Sequence, residues 1–178
     1  ADTAEVENYG QEYILLDKGR RITVDMAQLY ISNIELVKLD GSTVPVADRI
    51  LFVQHGTESY KVGSVPAGNY KAVKFYVGLN ATVNASTPSA SDNILHQPSM
   101  WFGATAQPDG FVYINFSGTI DTASVPDNSN AMIPFHYKMG TSTAFTSVTM
   151  PDRNFTVSPN QDQYIHMGAD YAMLFMGV

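Results

Sequence analysis

Short runs of β-branched and aromatic residues recur along residues 21–178, and Gly, Pro, Asn and Asp separate them. Few stretches repeat their apolar positions with the period of a helix. Roughly eight to ten short strands with turns between them indicate an all-β protein. We therefore predict an antiparallel two-sheet β-sandwich, of immunoglobulin-like or Greek-key type, with long loops and little helix.

The strand predictions can be stated residue by residue. Residues 22–24 and 29–38 form a strand pair or one long interrupted strand, which the turn Asp40-Gly41-Ser42 closes. In the predicted strand 70–77, the face with Val73 and Phe75 is expected to be the more buried. Residues 78–97 form a long loop, and 170–175 one helical turn. The other predicted strands are 44–54, 59–65, 111–117, 131–139, 146–150, 154–157 and 164–167.

Composition narrows the class of protein. The 178 residues suit a single domain, 1–178, and 44% hydrophobic against 15% charged residues excludes a disordered chain. The net charge is −7 and no run of Lys or Arg occurs, which excludes nucleic acid and an anionic membrane as main partners. No apolar run is long enough for a membrane-spanning segment. The first residues lack Met and an apolar leader, as expected for a processed, exported protein.

Several kinds of chemistry are excluded or weakly supported. The absence of cysteine excludes disulfides, thiolate nucleophiles and cysteine metal sites. The sequence motifs of common hydrolases, nucleotide-binding proteins and zinc proteases are missing, so we expect a protein that is not an enzyme. Loops at 91–93, 127–130 and 160–162 offer oxygen ligands for calcium, but none has the ordered spacing of a known calcium loop.

Six consecutive residues combine a histidine, a thioether and the only tryptophan of the chain: His96-Gln97-Pro98-Ser99-Met100-Trp101. Imidazole and thioether groups both bind copper, whereas an indole donates only through its N–H. Pro98 disfavours a regular helix, so a shaped loop or strand end is expected. The pattern is equally typical of packing, with Trp101 anchoring a core and Met100 filling a gap beside it.

The other three histidines differ in their setting. His55 precedes a glycine at a predicted strand end, which is typical of a turn, and His166 alternates with apolar residues on a predicted strand. His136 lies on the polar face of the predicted strand 131–139. Two imidazoles, from His96 and His136, with a weak third donor such as Met100 or a backbone carbonyl, would form a low-coordinate site that favours copper.

Several separated segments occur in the order found in one known family. They are Leu29-Tyr30-Ile31-Ser32-Asn33-Ile34-Glu35-Leu36, then 65–70 with 73–80, 96–101, 111–118 and 169–177. In this order they resemble the MbnP-like family, which comprises methanobactin-associated copper-binding proteins and their relatives in Bacteroidetes. The resemblance covers most of the chain.

The resemblance implies an exported β-sandwich, in the periplasm or at the cell surface, that binds one copper ion, Cu(I) or Cu(II), for acquisition or storage. It also implies two histidine ligands and a tryptophan that a partner di-haem peroxidase-like enzyme oxidises to kynurenine. At the matching positions these ligands are His96, Trp101 and His136. The alternative is an extracellular β-sandwich that binds carbohydrate or protein without a metal, through exposed aromatic residues.

Overall fold

The computed structural model describes residues 8–15, 19–46, 49–57, 59–105, 110–123, 125, 127 and 129–171. Within these ranges, regular structure consists of strands, one short helix and two 3-10 turns. The helix α1 spans Ala81–Asn84, and the turns span Pro98–Met100 and Ser142–Ala144. No helix of the described part is long and apolar enough to cross a membrane. The strands are β1 (Glu12–Leu15), β2 (Arg20–Lys38), β3 (Thr43–Pro45), β4 (Leu51–Gln54), β5 (Gly68–Val77), β6 (Trp101–Gly103), β7 (Gly110–Asp121), β8 (Met132–Gly140), β9 (Thr146–Thr149) and β10 (Phe155–Val157).

The long strand β2 is the centre of the strand pairing. It pairs antiparallel with β1, β3, β4 and β5. The strand order is β10-β5-β2-β7-β6, with β9 paired to β5 and β8 paired to β7. The predicted all-β class with antiparallel pairing is confirmed. Pairing links all ten strands into one sheet, and the division into two packed, immunoglobulin-like sheets stays a prediction.

A bulge in β2 decides which of its side chains are buried. The strand is continuous over 19 residues, so the predicted segments 22–24 and 29–38 are one strand. Asn33 has a φ of 49°, and the register with β5 shifts between Ser32 and Glu35. Asn adopts left-handed backbone more readily than most residues, and one extra residue changes the face of every residue that follows. Consequently Ile31 and Ile34 lie in the same core cluster, although a regular strand would place them on opposite faces.

A second register shift explains the burial of β5. Val37 pairs with Ala72 but Lys38 pairs with Tyr70, so Lys71 is skipped. Tyr70 therefore packs in the same cluster as Val73 and Phe75. The expectation that the face of Val73 and Phe75 is the more buried is confirmed, and the shift adds Tyr70 to that face in place of Lys71. On the other face only Ala72 is buried.

Other strand predictions meet with mixed outcomes. Four predicted strands are present as β7, β8, β9 and β10, namely 111–117, 131–139, 146–150 and 154–157. The predicted strand 44–54 is divided into two separate strands, β3 and β4. The strands predicted at 59–65 and 164–167 are wrong, since both segments lack regular structure, and β1 was not predicted. Residues 161–170 are exposed throughout, so their alternating pattern has no face to bury. Of the predicted helical turn, 172–175 lie outside the described residues, and Tyr171 has 3-10 conformation.

Contacts group the chain into two compact units. The first unit comprises Ala1–Met26, Phe116–His136 and Tyr164–Val178, and the second comprises Ala27–Asn115 and Tyr137–Gln163. The strands β2, β7 and β8 contribute residues to both. The prediction of one domain over 1–178 stays a prediction.

The second unit contains two core clusters. In one, β2, β4, β5, β10 and the residue that follows β3 contribute aliphatic and aromatic side chains: Ile31, Ile34, Leu36, Val46, Leu51, Tyr70, Val73, Phe75 and Val157. The other is mostly aromatic: Tyr30, Phe52, Leu79, Met100, Phe111, Val112 and Tyr113. This aromatic cluster positions the loop that carries the candidate metal ligands.

In the first unit, a buried carboxylate organises the chain after β7. Asp121 is fully buried, and its Oδ1 accepts a hydrogen bond from the Ala123 N–H at 2.9 Å. Its Oδ2 accepts from Asn130 Nδ2 at 3.2 Å and lies 3.9 Å from the Arg21 guanidinium. The bond from Ala123 lowers the pKa of the Asp121 carboxyl, as do Asn130 and Arg21, while burial opposes them.

We expect the free energy of unfolding of Asp121→Asn to depend less on pH in the acid range than that of the native chain. The folded state lowers the pKa of this carboxyl, so its stabilisation is present above the unfolded pKa of about 4 and is lost as the pH falls through the folded value. The variant should have a lower free energy of unfolding at neutral pH, and the gap to the native chain should shrink on acidification. Urea denaturation across this pH range measures both.

Asp152→Asn is the matched control, because the Asp152 carboxylate is exposed and paired with Lys71 at 3.2 Å. A surface pair contributes little to stability, so this variant should keep the native pH profile. Parallel profiles for Asp121→Asn and the native chain would contradict the assigned role of Asp121.

Candidate metal-binding loop

Hydrogen bonds to β2 and β7 fix the start of the loop after β5. The Gly78 N–H donates to the Tyr30 carbonyl at 2.8 Å, and the Ser32 hydroxyl donates to the Gly78 carbonyl at 2.7 Å. Gly78 has a φ of 109°, and a Cβ there would lie 2.4 Å from the ring of Tyr113, so only glycine fits. The Tyr113 hydroxyl donates to the Leu79 carbonyl at 2.9 Å.

The middle of the loop is a turn built on Asp92. Its Oδ1 accepts hydrogen bonds from the N–H groups of Ile94 and Leu95, both at 2.9 Å. The backbone carbonyl of Asp92 accepts a hydrogen bond from the His96 N–H, also at 2.9 Å. The Tyr30 hydroxyl, from β2, donates to the Ile94 carbonyl at 3.1 Å. Burial, helped by the Asp92 carboxylate, raises the pKa of Tyr30 well above its usual value, so the hydroxyl keeps its proton and remains a donor.

Side-chain amides hold the last part of the loop. Gln97 Nε2 donates to the Asn93 carbonyl at 2.8 Å. Asn115, on β7 and 1% exposed, donates through Nδ2 to the Ser99 carbonyl at 3.3 Å and to Gln28 Oε1 at 3.1 Å. The predicted loop is therefore an ordered segment whose backbone is tied to β2 and β7.

The tethered backbone gives the three oxidisable or metal-binding side chains different environments. His96 is exposed, Met100 is fully buried in the aromatic cluster, and Trp101 is half-buried. The Trp101 ring packs edge-on against Phe111, with ring centroids 4.8 Å apart and planes at 67°. The packing interpretation therefore holds for Met100, and we leave its thioether out of the candidate ligand set.

The remaining histidines are placed as follows. His136 is exposed on β8, within the first unit, next to Phe135, whose ring packs against Phe116 at 5.3 Å. His55 is exposed in the turn after β4, as predicted. His166 is exposed in the segment without regular structure, so its assignment to a strand is wrong. His96 and Trp101 thus lie five residues apart in one segment of the second unit. The pairing of His96 with His136 stays a prediction.

In two of the three candidate calcium loops, 91–93 and 127–130, the aspartate carboxylate accepts hydrogen bonds from the loop's own backbone. Asp127 Oδ1 accepts from the Ser129 N–H and hydroxyl, both at 2.7 Å, and from the Asn130 N–H at 3.0 Å, as Asp92 does within its own turn. Such bonds are typical of turns. Among the described residues, no three His, Cys, Asp or Glu side chains converge into a group that could hold a metal ion.

A cleft of about 360 Å³ opens beside Trp101. Its other polar lining comes from Asn84, the hydroxyl residues 86–87, Thr141 and Ser142, all within the second unit. Thr141 has φ 76° and ψ 161°, a region that is nearly exclusive to glycine and that costs a β-branched residue about 1–3 kcal/mol. No sequence pattern points to these residues, because Ser and Thr are common throughout the chain.

Comparison with known proteins identifies the family. A sequence model of the MbnP family matches residues 2–178. The chain belongs to the MbnP family. The resemblance predicted from the ordered segments is confirmed by this match.

A solved structure supports the fold of this MbnP-family chain. MbnP from Methylosinus trichosporium is similar, with a TM-score of 0.55 and 20% sequence identity. The likeness covers 84% of this chain and 64% of that chain, so the present chain matches just under two thirds of the relative's length. No curated protein matches the sequence.

We predict that Tyr30→Phe loosens the loop of His96 specifically. Removing the hydroxyl breaks its bond to the Ile94 carbonyl and should lower the free energy of unfolding by about 1 kcal/mol. The His96 amide, which is bonded to Asp92, should exchange its hydrogen faster, as measured by NMR or mass spectrometry.

Tyr70→Phe is the matched control, because it removes a similar bond from a buried tyrosine hydroxyl to the Pro66 carbonyl at 2.8 Å. It should cost similar stability and leave exchange at His96 unchanged. Equal exchange rates at His96 in both variants would show that Tyr30 does not restrain this loop.

Proposed function

We propose that this protein binds a single copper ion at the loop of His96, with Trp101 and His136 as further ligands, for copper acquisition or storage. The observation that carries the proposal is the exposed His96 imidazole on a tethered loop, five residues before the half-buried Trp101. Membership of the MbnP family supports the same function. The proposal assigns binding, without turnover of a substrate.

The available donors suit copper in a low-coordinate site. The imidazoles of His96 and His136 are both exposed, and no three His, Cys, Asp or Glu side chains of the described residues form a group that could hold a metal ion. Hard, oxygen-preferring ions need more carboxylate and carbonyl ligands than this. Two imidazoles with one further donor favour Cu(I), and the same ligands also accept Cu(II).

Trp101 would become a ligand by oxidation to kynurenine. An indole offers only an N–H donor. Oxidative cleavage of its C2–C3 bond adds two oxygen atoms, and hydrolysis of the resulting formamide releases C2 as formate, which leaves an aniline nitrogen and a ketone oxygen that can coordinate. The cleft at Trp101 leaves part of the ring accessible to an oxidant. A di-haem peroxidase-like partner enzyme, implied by the family resemblance, is the proposed catalyst, with two equivalents of peroxide as the oxidant that are reduced to water. The protein would meet this enzyme in the periplasm or at the cell surface.

Mass spectrometry of Trp101 tests this modification. Protein isolated from its native source should give a peptide spanning Trp101 with the mass of kynurenine, whereas recombinant protein made without the partner should give plain tryptophan. Co-expression with the partner should convert the second form into the first. Unmodified tryptophan in the native-source protein would rule out kynurenine as the third ligand.

We expect His96→Ala to abolish stoichiometric copper binding. Loss of a directly bound imidazole should reduce the Cu(I) affinity by at least the roughly 100-fold that changes around metal ligands reach. Competition with a chromogenic Cu(I) chelator measures the affinity, and elemental analysis measures the stoichiometry. His136→Ala should have a comparable effect.

His55→Ala is the control for a non-specific histidine contribution, because His55 is exposed in the same unit as His96. It should bind copper as the native chain does. Equal affinities for His96→Ala and the native chain would refute the site. A native chain that binds neither Cu(I) nor Cu(II) at micromolar concentrations would favour the metal-free binding module.

A further inference from the structure

The connection between β7, which ends at Asp121, and β8, which begins at Met132, is closed at its base. Asn130 Nδ2 donates to Asp121 Oδ2 at 3.2 Å and to the Val125 carbonyl at 3.0 Å. The Asn130 N–H donates to Asp127 Oδ1 at 3.0 Å. The residue that stands two positions before β8 is therefore bonded through both its side chain and its backbone.

A buried guanidinium from β2 contacts both ends of this connection. Arg21 is 8% exposed, and its Nη2 donates to the Asn130 carbonyl and lies 3.9 Å from Asp121 Oδ2. Its Nη1 lies 3.4 Å from the exposed Glu12 carboxylate. No described residue accepts a hydrogen bond from the buried Nε of Arg21.

This arrangement is not the one that stability alone favours. A buried ion pair offsets the cost of its desolvation only with good geometry, and here the distance to Asp121 is long and Nε is unsatisfied within the described residues. Replacing a buried ion pair by apolar residues is often neutral or stabilising. The best-attested use of buried charge is instead to specify a register, and the element that Arg21 can align is β8.

The register of β8 against β7 decides the face on which His136 lies. Phe135 packs against Phe116 of β7 at 5.3 Å, and Gly118 leaves room for its ring, because a Cβ there would lie 3.0 Å from Phe135 Cζ. His136, the next residue, is exposed. A slip of one residue would exchange these faces, so that His136 would turn towards β7 and Phe135 would turn outward.

The apolar pattern of β8 selects this register only weakly. Ile133 and Tyr137 belong to the same alternating set as Phe135, yet they are 47% and 44% exposed. A strand whose apolar set is half-exposed loses little burial when it slips. The bonds at Asn130 therefore supply the constraint that the side chains of the strand lack.

We propose that Arg21 is a positioning residue for the copper ligand His136. By holding the Asn130 carbonyl beside Asp121, it fixes the register of β8 that directs the His136 imidazole outward. All the residues in this argument up to His136 lie in the first unit. The register concerns the metal-free chain, whereas the effect on copper rests on the function proposed above.

NMR and hydrogen exchange of the metal-free Arg21→Met variant test the register. Methionine retains an apolar stem of similar length and removes the hydrogen bonds. We expect a second set of signals for His136 and about ten-fold faster exchange at amides 132–136, as for the loss of one hydrogen bond to a charged group, with native exchange in β5. Arg21→Lys should restore the native signals, because Nη2 alone contacts Asn130 and Asp121 and one ammonium can replace it.

Native signals and native exchange at β8 in Arg21→Met would overturn the proposal. If Arg21→Met does not fold, Asn130→Ala takes its place, since it removes only the bonds of Nδ2 to Asp121 and Val125. The expected and the contradicting results are then the same.

Copper binding separates positioning from general destabilisation. If the outward register falls to about a tenth of the population in Arg21→Met, the apparent Cu(I) affinity falls about ten-fold. In the His136→Ala background Arg21→Met should cause no further loss, because the ligand that it positions is gone. An equal loss in both backgrounds would mean that Arg21 acts through general stability, and the positioning role would be wrong.

Lys74→Met is the matched control, because Lys74 pairs with Glu35 of β2 at 3.2 Å within the second unit. It should leave both the β8 signals and the Cu(I) affinity at their native values. Failure of the copper proposal is distinguishable from failure of this one. If His136→Ala keeps the native affinity, His136 is not a ligand, and the measurements on the metal-free chain still decide whether Arg21 sets the register of β8.

Discussion

The buried side chain of Tyr30 holds both ends of the loop that carries the candidate ligands. Its hydroxyl donates to the Ile94 carbonyl, just before His96. Its ring packs edge-on against Phe111 at 6.3 Å, and Phe111 supports the Trp101 ring. Because Tyr30 is fully buried in the middle of β2, the core sets the position of the loop, while Asp92 and Gln97 shape the turn within it.

The parts of the fold that were predictable have local causes. Turn residues mark the chain reversal at Asp40-Gly41-Ser42, where Asp40 Oδ1 accepts from the Ser42 N–H and hydroxyl. β-Branched and aromatic runs mark β5 and β7. The two bulges were not predictable, because Asn33 and Lys71 look like ordinary polar positions of a strand. Each bulge exchanges the faces of the residues on its two sides, so regular alternation placed Tyr70 and Lys71 on the wrong faces of β5 although the position of the strand and its more buried face were correct.

The failed strands show the other limit of sequence patterns. Residues 164–167 have the composition of a strand, but a strand also requires a neighbour with free N–H and C=O groups, and those neighbours are determined by the whole fold. The candidate loop was predictable in the same partial way. The residue types in 96–101 pointed to it, whereas the exposure of His96 depends on bonds from Tyr30 and Asn115, which are distant in sequence. The lining of the cleft joins residues near 84, 101 and 141, so no local pattern could contain it.

The opposite burial of the neighbours Met100 and Trp101 has a consequence for oxidative damage. Thioethers are readily oxidised to sulfoxides, and a polar sulfoxide disrupts a core. Met100 is fully buried within the aromatic cluster, so an oxidant in solution cannot reach its sulfur, while the adjoining indole is partly open. The backbone turn at Pro98–Met100 thus provides chemical selectivity between two adjacent reactive side chains. An oxidising reaction at this surface can modify the indole and leave the packing beneath it intact.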